Sequence, residues 1–362
     1  MRILFALPGL HRFDRGAEIA FISIASVLAK AGESVTLIGS GHSRPGAPYR
    51  FLHAGSITRD KFQRFPALPA LRNDCAYEEL TFVPALMRAY DPADFDVTVT
   101  CSYPYTNWVL RRPTGRGSRP PHVFVTQNGD WPAFAQNSEY RMFGCEGLVC
   151  TNGQYYERQK DRWRCRLIPN GVDCDRFVLG PGSREQFDLP SDRLLVLMVS
   201  ALIPSKRVAS GIEAVSRLPD AYLLVVGDGP LRQEIQTMAD RLMPGRFKRV
   251  SVAPENMPMV YRSADVFLHM SKIEPSSLAF LEALASGLPI VAHELERLRV
   301  IAGDDAFLLD TDDIPAVARA LQAAAPSTAE QRERRANKAE KYSWQRIGAM
   351  YREFLAEVVA LR

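Results

Sequence analysis

Residues 2–39, RILFALPGLHRFDRGAEIAFISIASVLAKAGESVTLIG, decide the fold. They open with a strand-like apolar run, RILFALPG, and close with another, SVTLIG. Between these, GAEIAFISIASVLAKAG spaces Ile19, Ile22, Ser23, Ser26 and Val27 at helical intervals, and Gly32 follows as a C-terminal stop. Strand, helix and strand at this spacing make a βαβ unit. Its two strands run parallel, because a crossover helix and not a tight turn joins them.

The same alternation continues outward. FDVTVTC, HVFVTQN, GLVCTN and CRLIPNG read as further buried strands ending in turns. From Pro169 to Asp192 the pattern lapses into PNGVDCDRFVLGPGSREQFDLPSD, rich in Gly, Pro and Asp, which reads as a linker. A second series follows, with LLVLMVSA, AYLLVVGDG, FKRVSVAP, ADVFLHMS, LPIVAHE and AFLLDTDD as strands separated by helices. The expected organisation is an N-terminal domain over 1–168, a linker over 169–192 and a C-terminal domain over 193–342. A last amphipathic helix covers 343–362. The fold class is α/β, with two Rossmann-like domains whose parallel sheets are expected to face a central cleft. In such sheets ligands sit beyond the carboxyl ends of the strands, so chemistry belongs on strand-to-helix loops.

Composition sets outer bounds. A chain of 362 residues is long enough for two cores, and 46% hydrophobic with 24% charged residues is ordinary for a globular protein. A net charge of +4 with both signs interspersed gives no case for a nucleic-acid partner. No apolar run approaches the length of a membrane span, and MRILFALPGL lacks a small-residue cleavage site, so it reads as a first buried strand. Six cysteines without a CxxC pair read as small buried hydrophobes in a reducing cytoplasm, and no metal site is expected.

Three loops carry chemistry. In VSALIPSKRVASGIEAVSRL, 199–218, a strand ends near Ser200 and a helix begins near Val208, with Lys206 and Arg207 between them. Two cations at a helix N-terminus oppose the helix dipole, and a bound phosphate removes that conflict; a solvated surface pair is the other account. In LLVVGDGPLRQEI, 223–235, Gly227, Asp228 and Gly229 lie between a strand and a helix, where glycines permit close backbone approach. No GxGxxG follows the first strand, which argues against a dehydrogenase. In EPSSLAFLEALASGLPIVA, 274–292, Glu274 and Glu282 flank a helix N-terminus capped by Ser276 or Ser277. A diphosphate on the N–H groups near Ser277 and Leu278 would leave each carboxylate facing hydroxyls, since ionised carboxylates only accept. The alternative is an exposed Glu274 and a surface ion pair at Glu282.

Together IPNGVDCDRF, PSKR, VGDGPLRQEI and EPSSLAFLEALASGLPIVA resemble the retaining glycosyltransferases of family 4, which have the GT-B arrangement of two Rossmann-like domains. RGAE, 15–18, resembles that family's glycine-rich first turn. The resemblance implies that Glu274 binds the donor sugar, Glu282 the ribose and Lys206 the diphosphate. Backbone N–H groups at Gly16, Ser277 and Leu278 would complete the cradle, with Ser200 and Ser276 beside it and the 227–229 loop near the nucleoside. It also implies that the final helix crosses back to the first domain and that no metal cofactor is needed.

Three departures stand out. Ser200-Ala201 replaces the usual Gly-Arg, with Arg207 as a substitute charge; Pro-Ser-Ser follows Glu274 in place of Gly-Phe-Gly; and Asn128 stands where a histidine is common. Asn128 keeps a carbonyl and a polar side chain for the reaction centre. Weaker acceptor candidates are His11, Tyr103, Tyr105, Asp130 and Trp131, each with an ordinary packing or capping account beside it. Asp94/Asp96 and Asp173/Asp175 fall before a strand and in the linker, places unsuited to a metal–diphosphate clamp. ITRDKFQRFPALPALR, 57–72, mixes cations with Phe and Leu and fits either a membrane-surface patch or a solvated loop.

The expected activity is transfer of a sugar from a UDP- or GDP-linked nucleotide donor to a hydroxyl of a saccharide, lipid-linked or small-molecule acceptor. The expected place is the cytoplasm or the inner face of its membrane. A sugar-nucleotide epimerase or a non-catalytic nucleotide-sugar-binding partner are the alternatives.

Overall fold

The computed structural model describes residues 1–113, 119–130, 142–273 and 277–361. The chain divides into two compact units, Met1–Asn170 with Trp344–Arg362, and Gly171–Ser343.

In the first unit the strands are β1 (Arg2–Ala6), β2 (Ser34–Gly39), β3 (Arg50–His53), β4 (Val97–Thr100), β5 (His122–Val125), β6 (Gly147–Cys150) and β7 (Cys165–Leu167). They form one parallel sheet in the order β3-β2-β1-β4-β5-β6-β7. Helices α1 (Gly16–Lys30), α2 (Asp74–Ala89), α3 (Tyr105–Leu110) and α4 (Gly153–Gln159) connect them. Strand β3 has no counterpart among the apolar runs of the sequence. Its four residues lie at the sheet edge and are exposed or half-buried, so burial imposes no hydrophobic pattern on them.

Helix α1 forms where the sequence spacing marks a helix. Its buried stripe is Ala20, Phe21, Ile24, Ala25 and Leu28, not the Ile19–Ile22–Ser23–Ser26–Val27 stripe. The latter is half-buried because α12 (Trp344–Ala360) covers it: a Cβ on Gly348 would lie 2.5 Å from Val27 Cγ1. Two apolar stripes on one helix mean two neighbours, and α12 is the second. Arg352 donates to Glu33 at 2.6 Å and Arg166 to Glu357 at 2.6 Å, fastening α12 to the first unit.

The second unit repeats the plan. Its strands are β8 (Leu194–Val199), β9 (Ala221–Val226), β10 (Phe247–Val250), β11 (Val266–His269), β12 (Ile290–His293) and β13 (Ala306–Leu309), in the order β10-β9-β8-β11-β12-β13. The helices are α5 (Val208–Ser216), α6 (Arg232–Leu242), α7 (Met257–Ser263), α8 (Leu278–Ala285), α9 (Glu296–Ala302), α10 (Ile314–Ala324) and α11 (Ala329–Ala339). Near-continuous burial of β8, β9, β11 and β12 reflects helices on both faces of a parallel sheet.

The stretch from Gly171 to Asp192 belongs to this unit. Phe177 and Leu189 are buried in its core, and Arg184 donates to Asp265 at 2.6 Å, whose carboxylate also accepts from the Leu195 N–H. Its Gly and Pro content therefore marks a packed irregular belt. All six cysteines are free thiols, with Cys101 and Cys150 buried and the others half-buried. Among the described residues no helix is long and apolar enough to cross a membrane.

Candidate active site

In each sheet the strand order reverses once, between β1 and β4 and between β8 and β11. Loops leaving neighbouring strands on opposite sides of a sheet part there, which opens a place for ligands. In the second unit this switch point is flanked by the loop after β8 and the loop after β11.

The loop after β8 runs from Ser200 to Arg207 and ends in a tight turn, Pro204–Lys206, before α5. It is clamped to the Gly227-Asp228-Gly229 loop. Leu202 N–H donates to Asp228 O at 3.0 Å and Leu231 N–H to Leu202 O at 3.1 Å. Gly227 has φ +149, and a Cβ there would overlap Ser200 O; one on Gly229 would lie 2.6 Å from Leu202 O. The close approach these glycines permit is thus between two protein loops. Asp228 is exposed, accepting from the Gly229 N–H at 2.9 Å and lying 3.8 Å from Arg249 and from Arg232. Ser200 is half-buried and its Oγ donates to Ala201 O at 3.2 Å. Lys206 is half-buried at the end of the turn.

Arg207 departs from the sequence expectation. Its backbone is left-handed, φ 54 and ψ 38, a conformation that costs a side-chain-bearing residue about 1–2 kcal/mol. Its guanidinium is spent within the protein: Nη1 donates to Thr311 Oγ1 at 2.6 Å and Met270 O at 3.3 Å, and Nη2 to Asp312 Oδ1 at 2.7 Å and Thr311 O at 3.2 Å. These charge-assisted bonds offset the strain and take the donors a phosphate would need.

Glu274 and Ser276 lie outside the described residues. Ser277 caps α8, its side chain accepting from the Phe280 N–H at 3.2 Å, so the first N–H groups of the helix, Leu278 included, have no partner within it. One turn on, Glu282 is half-buried and accepts at Oε2 from the Tyr261 hydroxyl at 2.7 Å. Burial raises its carboxyl above the usual range, while Tyr261 and the charge of Arg176 pull it back. The surface ion pair entertained for Glu282 is replaced by a phenol. Tyr261 and Arg176 gave no signal in the sequence, since both precede the motif on other elements.

In the first unit, Gly16 opens α1 and its Cα faces open space. Glu18, one turn in, is buried and lies so close to Gly9 that any Cβ there would strike its carboxylate. Glu78 and Glu79 on α2 are also buried. Arg15 stands 3.7 Å from Glu18 and 3.4 Å from Glu78, and Arg59 is 3.3 Å from Glu78. Glu79 accepts from the Thr106 N–H at the start of α3 at 3.2 Å, and burial pushes its carboxyl up to about 8. Sequence reading passed over Glu78 and Glu79, because a pair of acids in a helix normally marks its solvent face.

Asn128 is exposed at the end of the turn after β5, with Nδ2 3.6 Å from Cys101 Sγ. Asp130 is buried and accepts from Arg158 at 3.2 Å and Gln159 at 3.1 Å, which ties it to the end of α4. His11 is occupied too. Its Nδ1 meets His42 O and its Nε2 the Tyr49 hydroxyl, both at 2.8 Å, and its ring stacks on Phe51 at 4.2 Å. Tyr103 is buried against Phe143 and Trp108, so its ring face is core. Tyr105 is half-buried at the start of α3. Trp131 and the helix that Asp130 was expected to cap lie outside the described residues.

The discounted acids have structural work: Asp96 pairs with Arg2 at 2.8 Å, and Asp173 accepts from the Asp175 and Arg176 N–H groups. Among the described residues no three His, Cys, Asp or Glu side chains gather as metal ligands. In the 57–72 stretch Ile57, Phe65 and Leu68 are exposed, alongside exposed Lys61, Arg64 and Arg72.

Two family models match in sequence order: Glycosyltransferase Family 4 over residues 15–176 and Glycosyl transferases group 1 over residues 181–342. The chain is 27% identical over 321 residues to the lipopolysaccharide core biosynthesis glycosyltransferase LpsE of Rhizobium meliloti (strain 1021), covering 85% of each chain. It superposes on sucrose-phosphate synthase from Thermosynechococcus elongatus with a TM-score of 0.79 at 19% identity, over 99% of both chains. It also superposes on Anabaena HepE in complex with UDP-glucose, with a TM-score of 0.72 at 16% identity, again over 99% of both. The two models take one compact unit each, apart from the segments at their margins, and the chain belongs to the GT-B glycosyltransferases of the group 1/family 4 type.

Proposed function

We propose that the protein is a retaining, metal-independent glycosyltransferase that moves a sugar from a UDP- or GDP-linked donor to an acceptor hydroxyl. The matched families, the LpsE relative and the likeness to a UDP-glucose-bound neighbour support a glycosyltransferase using a nucleotide-diphosphate sugar, and favour it over an epimerase or a non-catalytic binder. One observation carries the reading. At the switch point of the second sheet, a turn ending in Lys206, the capped N-terminus of α8 and the half-buried carboxylate of Glu282 all belong to loops or helices leaving the carboxyl edge.

In this reading Lys206 and the N–H groups at Ser277 and Leu278 neutralise the leaving diphosphate, so that no divalent ion is required. Glu282 accepts from ribose hydroxyls, and Glu274 keeps the sugar-orienting role implied by its motif. The bond from the anomeric carbon to the diphosphate oxygen breaks, and the acceptor oxygen bonds to the same face. The acceptor proton passes to the departing phosphate. Asn128 keeps the role its place in the motif implies, with a carbonyl and an amide to offer.

For the acceptor we favour a saccharide on a lipid, met at the inner face of a membrane. The LpsE relative is named for lipopolysaccharide core synthesis, and the exposed apolar and cationic side chains of 57–72 fit an anionic surface. The test is a thermal-shift panel of UDP- and GDP-sugars, followed by NMR of the product made with the best donor in EDTA. The donor's anomeric configuration should persist. An inverted product would overturn retention, and silence in EDTA restored by a divalent ion would overturn metal independence.

A further inference from the structure

The side chain of Arg207 joins loops that the sequence keeps far apart. Its two Nη groups reach Met270 at the end of β11 and Thr311 and Asp312 after β13. Asp312 divides its carboxylate, Oδ1 to Arg207 and Oδ2 to Lys272. Thr311 is fully buried, and its N–H donates to His293 Nδ1 at 3.2 Å, adding the end of β12. The Arg207 guanidinium, the Asp312 carboxylate and the Thr311 backbone therefore gather the carboxyl ends of β11, β12 and β13 around the turn that follows β8.

We infer that Arg207 is a positioning residue for donor binding: through Asp312 it holds the Lys206 turn and the loop after β11 in one register, and it does not touch the donor itself. Lys206 is its immediate neighbour in the chain, so the left-handed backbone of Arg207 fixes where the turn delivers that ammonium group. Lys272 begins the short stretch leading to the α8 cap, so the same carboxylate fixes the other side. The inference rests on the proposed meeting of Lys206 with the donor diphosphate.

A direct phosphate contact and a tether predict opposite behaviour when Asp312 is neutralised. If Arg207 bound phosphate, Asp312→Asn would release a competing anion and leave binding intact or tighter. If Arg207 is a tether, Asp312→Asn cuts its link to Lys272, leaving only the bonds to Thr311 and Met270 O, and weakens binding. Arg207→Gly is the matching variant, because glycine accepts the left-handed backbone without strain.

The experiment is calorimetry on the full chain with UDP and GDP as probes and UMP and GMP as references. The probes differ from the references only in the phosphate that Lys206 is proposed to meet. With whichever nucleotide binds, Arg207→Gly and Asp312→Asn should each weaken the diphosphate about tenfold while the monophosphate changes less than about twofold. The double variant should match the weaker single variant within about twofold, since both cut one connection. Arg207→Lys, keeping the charge but not the fork, should recover part of the loss and serves if Arg207→Gly does not fold.

Wild-type or tighter diphosphate binding by Asp312→Asn would overturn the tether. So would an equal loss for monophosphate and diphosphate, which marks general loosening. Lys206→Ala separates the two levels: unchanged diphosphate binding there would overturn the donor role of Lys206, and the inference with it. Normal losses in Lys206→Ala with no effect of Asp312→Asn would overturn the tether alone.

Discussion

The hydroxyl of Tyr261, fully buried on α7, donates to Oε2 of Glu282 at 2.7 Å. The pair fixes the carboxylate while leaving Oε1 without a hydrogen bond among the described residues. A carboxylate held at one oxygen and open at the other suits a donor with hydroxyls to offer. Glu282→Ala should weaken UDP or GDP binding at least about tenfold. Tyr261→Phe, which removes only the orienting bond, should weaken it about threefold. Calorimetry with both variants checks the order; equal affinity across wild type and both variants would remove Glu282 from the nucleotide site.

Lys206 is proposed to act on charge that grows as the diphosphate leaves. Its loss should therefore fall more heavily on turnover than on binding. Lys206→Ala should lower kcat by about 100-fold, with a smaller rise in donor KM. Steady-state kinetics, or slow donor hydrolysis if the acceptor is not in hand, gives the split.

Gly227 and Gly229 face neighbouring backbone, whereas Gly16 faces open space. Gly227→Ala combines a left-side φ with an overlap on Ser200 O and should cost more than about 2 kcal/mol in urea unfolding. Gly16→Ala, free of both problems, should stay within about 1 kcal/mol of wild type. The contrast separates glycines required for packing from one that a ligand could require.

Glu79 gives the fold a pH dependence whose sign is set by burial. Its carboxyl moves from an ordinary 4.5 to about 8 in the folded state. Between those values the native chain keeps a proton that the unfolded chain has released. Stability from this group therefore falls as pH rises through that window, by at most about 1.4 kcal/mol per pH unit. Glu79→Gln cannot ionise and keeps an acceptor for the Thr106 N–H. Its Tm should exceed that of wild type at pH 8, and the difference should shrink towards pH 5. A gap independent of pH would show that Glu79 is not protonated in the native state.

The exposed side chains of 57–72 predict lipid binding that needs both charge and apolar surface. The protein should float with phosphatidylglycerol vesicles at low salt and not with phosphatidylcholine alone. Each cation lost should cost about 1 kcal/mol of membrane affinity. Lys61→Glu with Arg64→Glu should abolish flotation, and Phe65→Ser with Leu68→Ser should reduce it without changing the salt dependence.

Much of this protein is local enough to be legible in its sequence. Period and punctuation mark most of the strands, and the first βαβ unit, with the series after Asp192, gives two parallel α/β halves. Lys206, the Gly227–Gly229 loop and the 274–292 stretch mark the loops proposed to hold the donor, because helix N-termini and turns have residue requirements that act over a few positions. Tertiary structure decided what depends on neighbours far along the chain. It decided which neighbour each side of α1 meets, with α12 against Val27 and the Phe21–Ile24 side fully buried. It gave His11 and Asp130 two partners each from other segments. It tied Arg207 to Asp312 across more than a hundred residues, and joined Glu282 to a tyrosine outside its motif. A charged side chain shows in sequence only that it must find a partner. Which partner it finds is set by the packing of the sheet and helices around it.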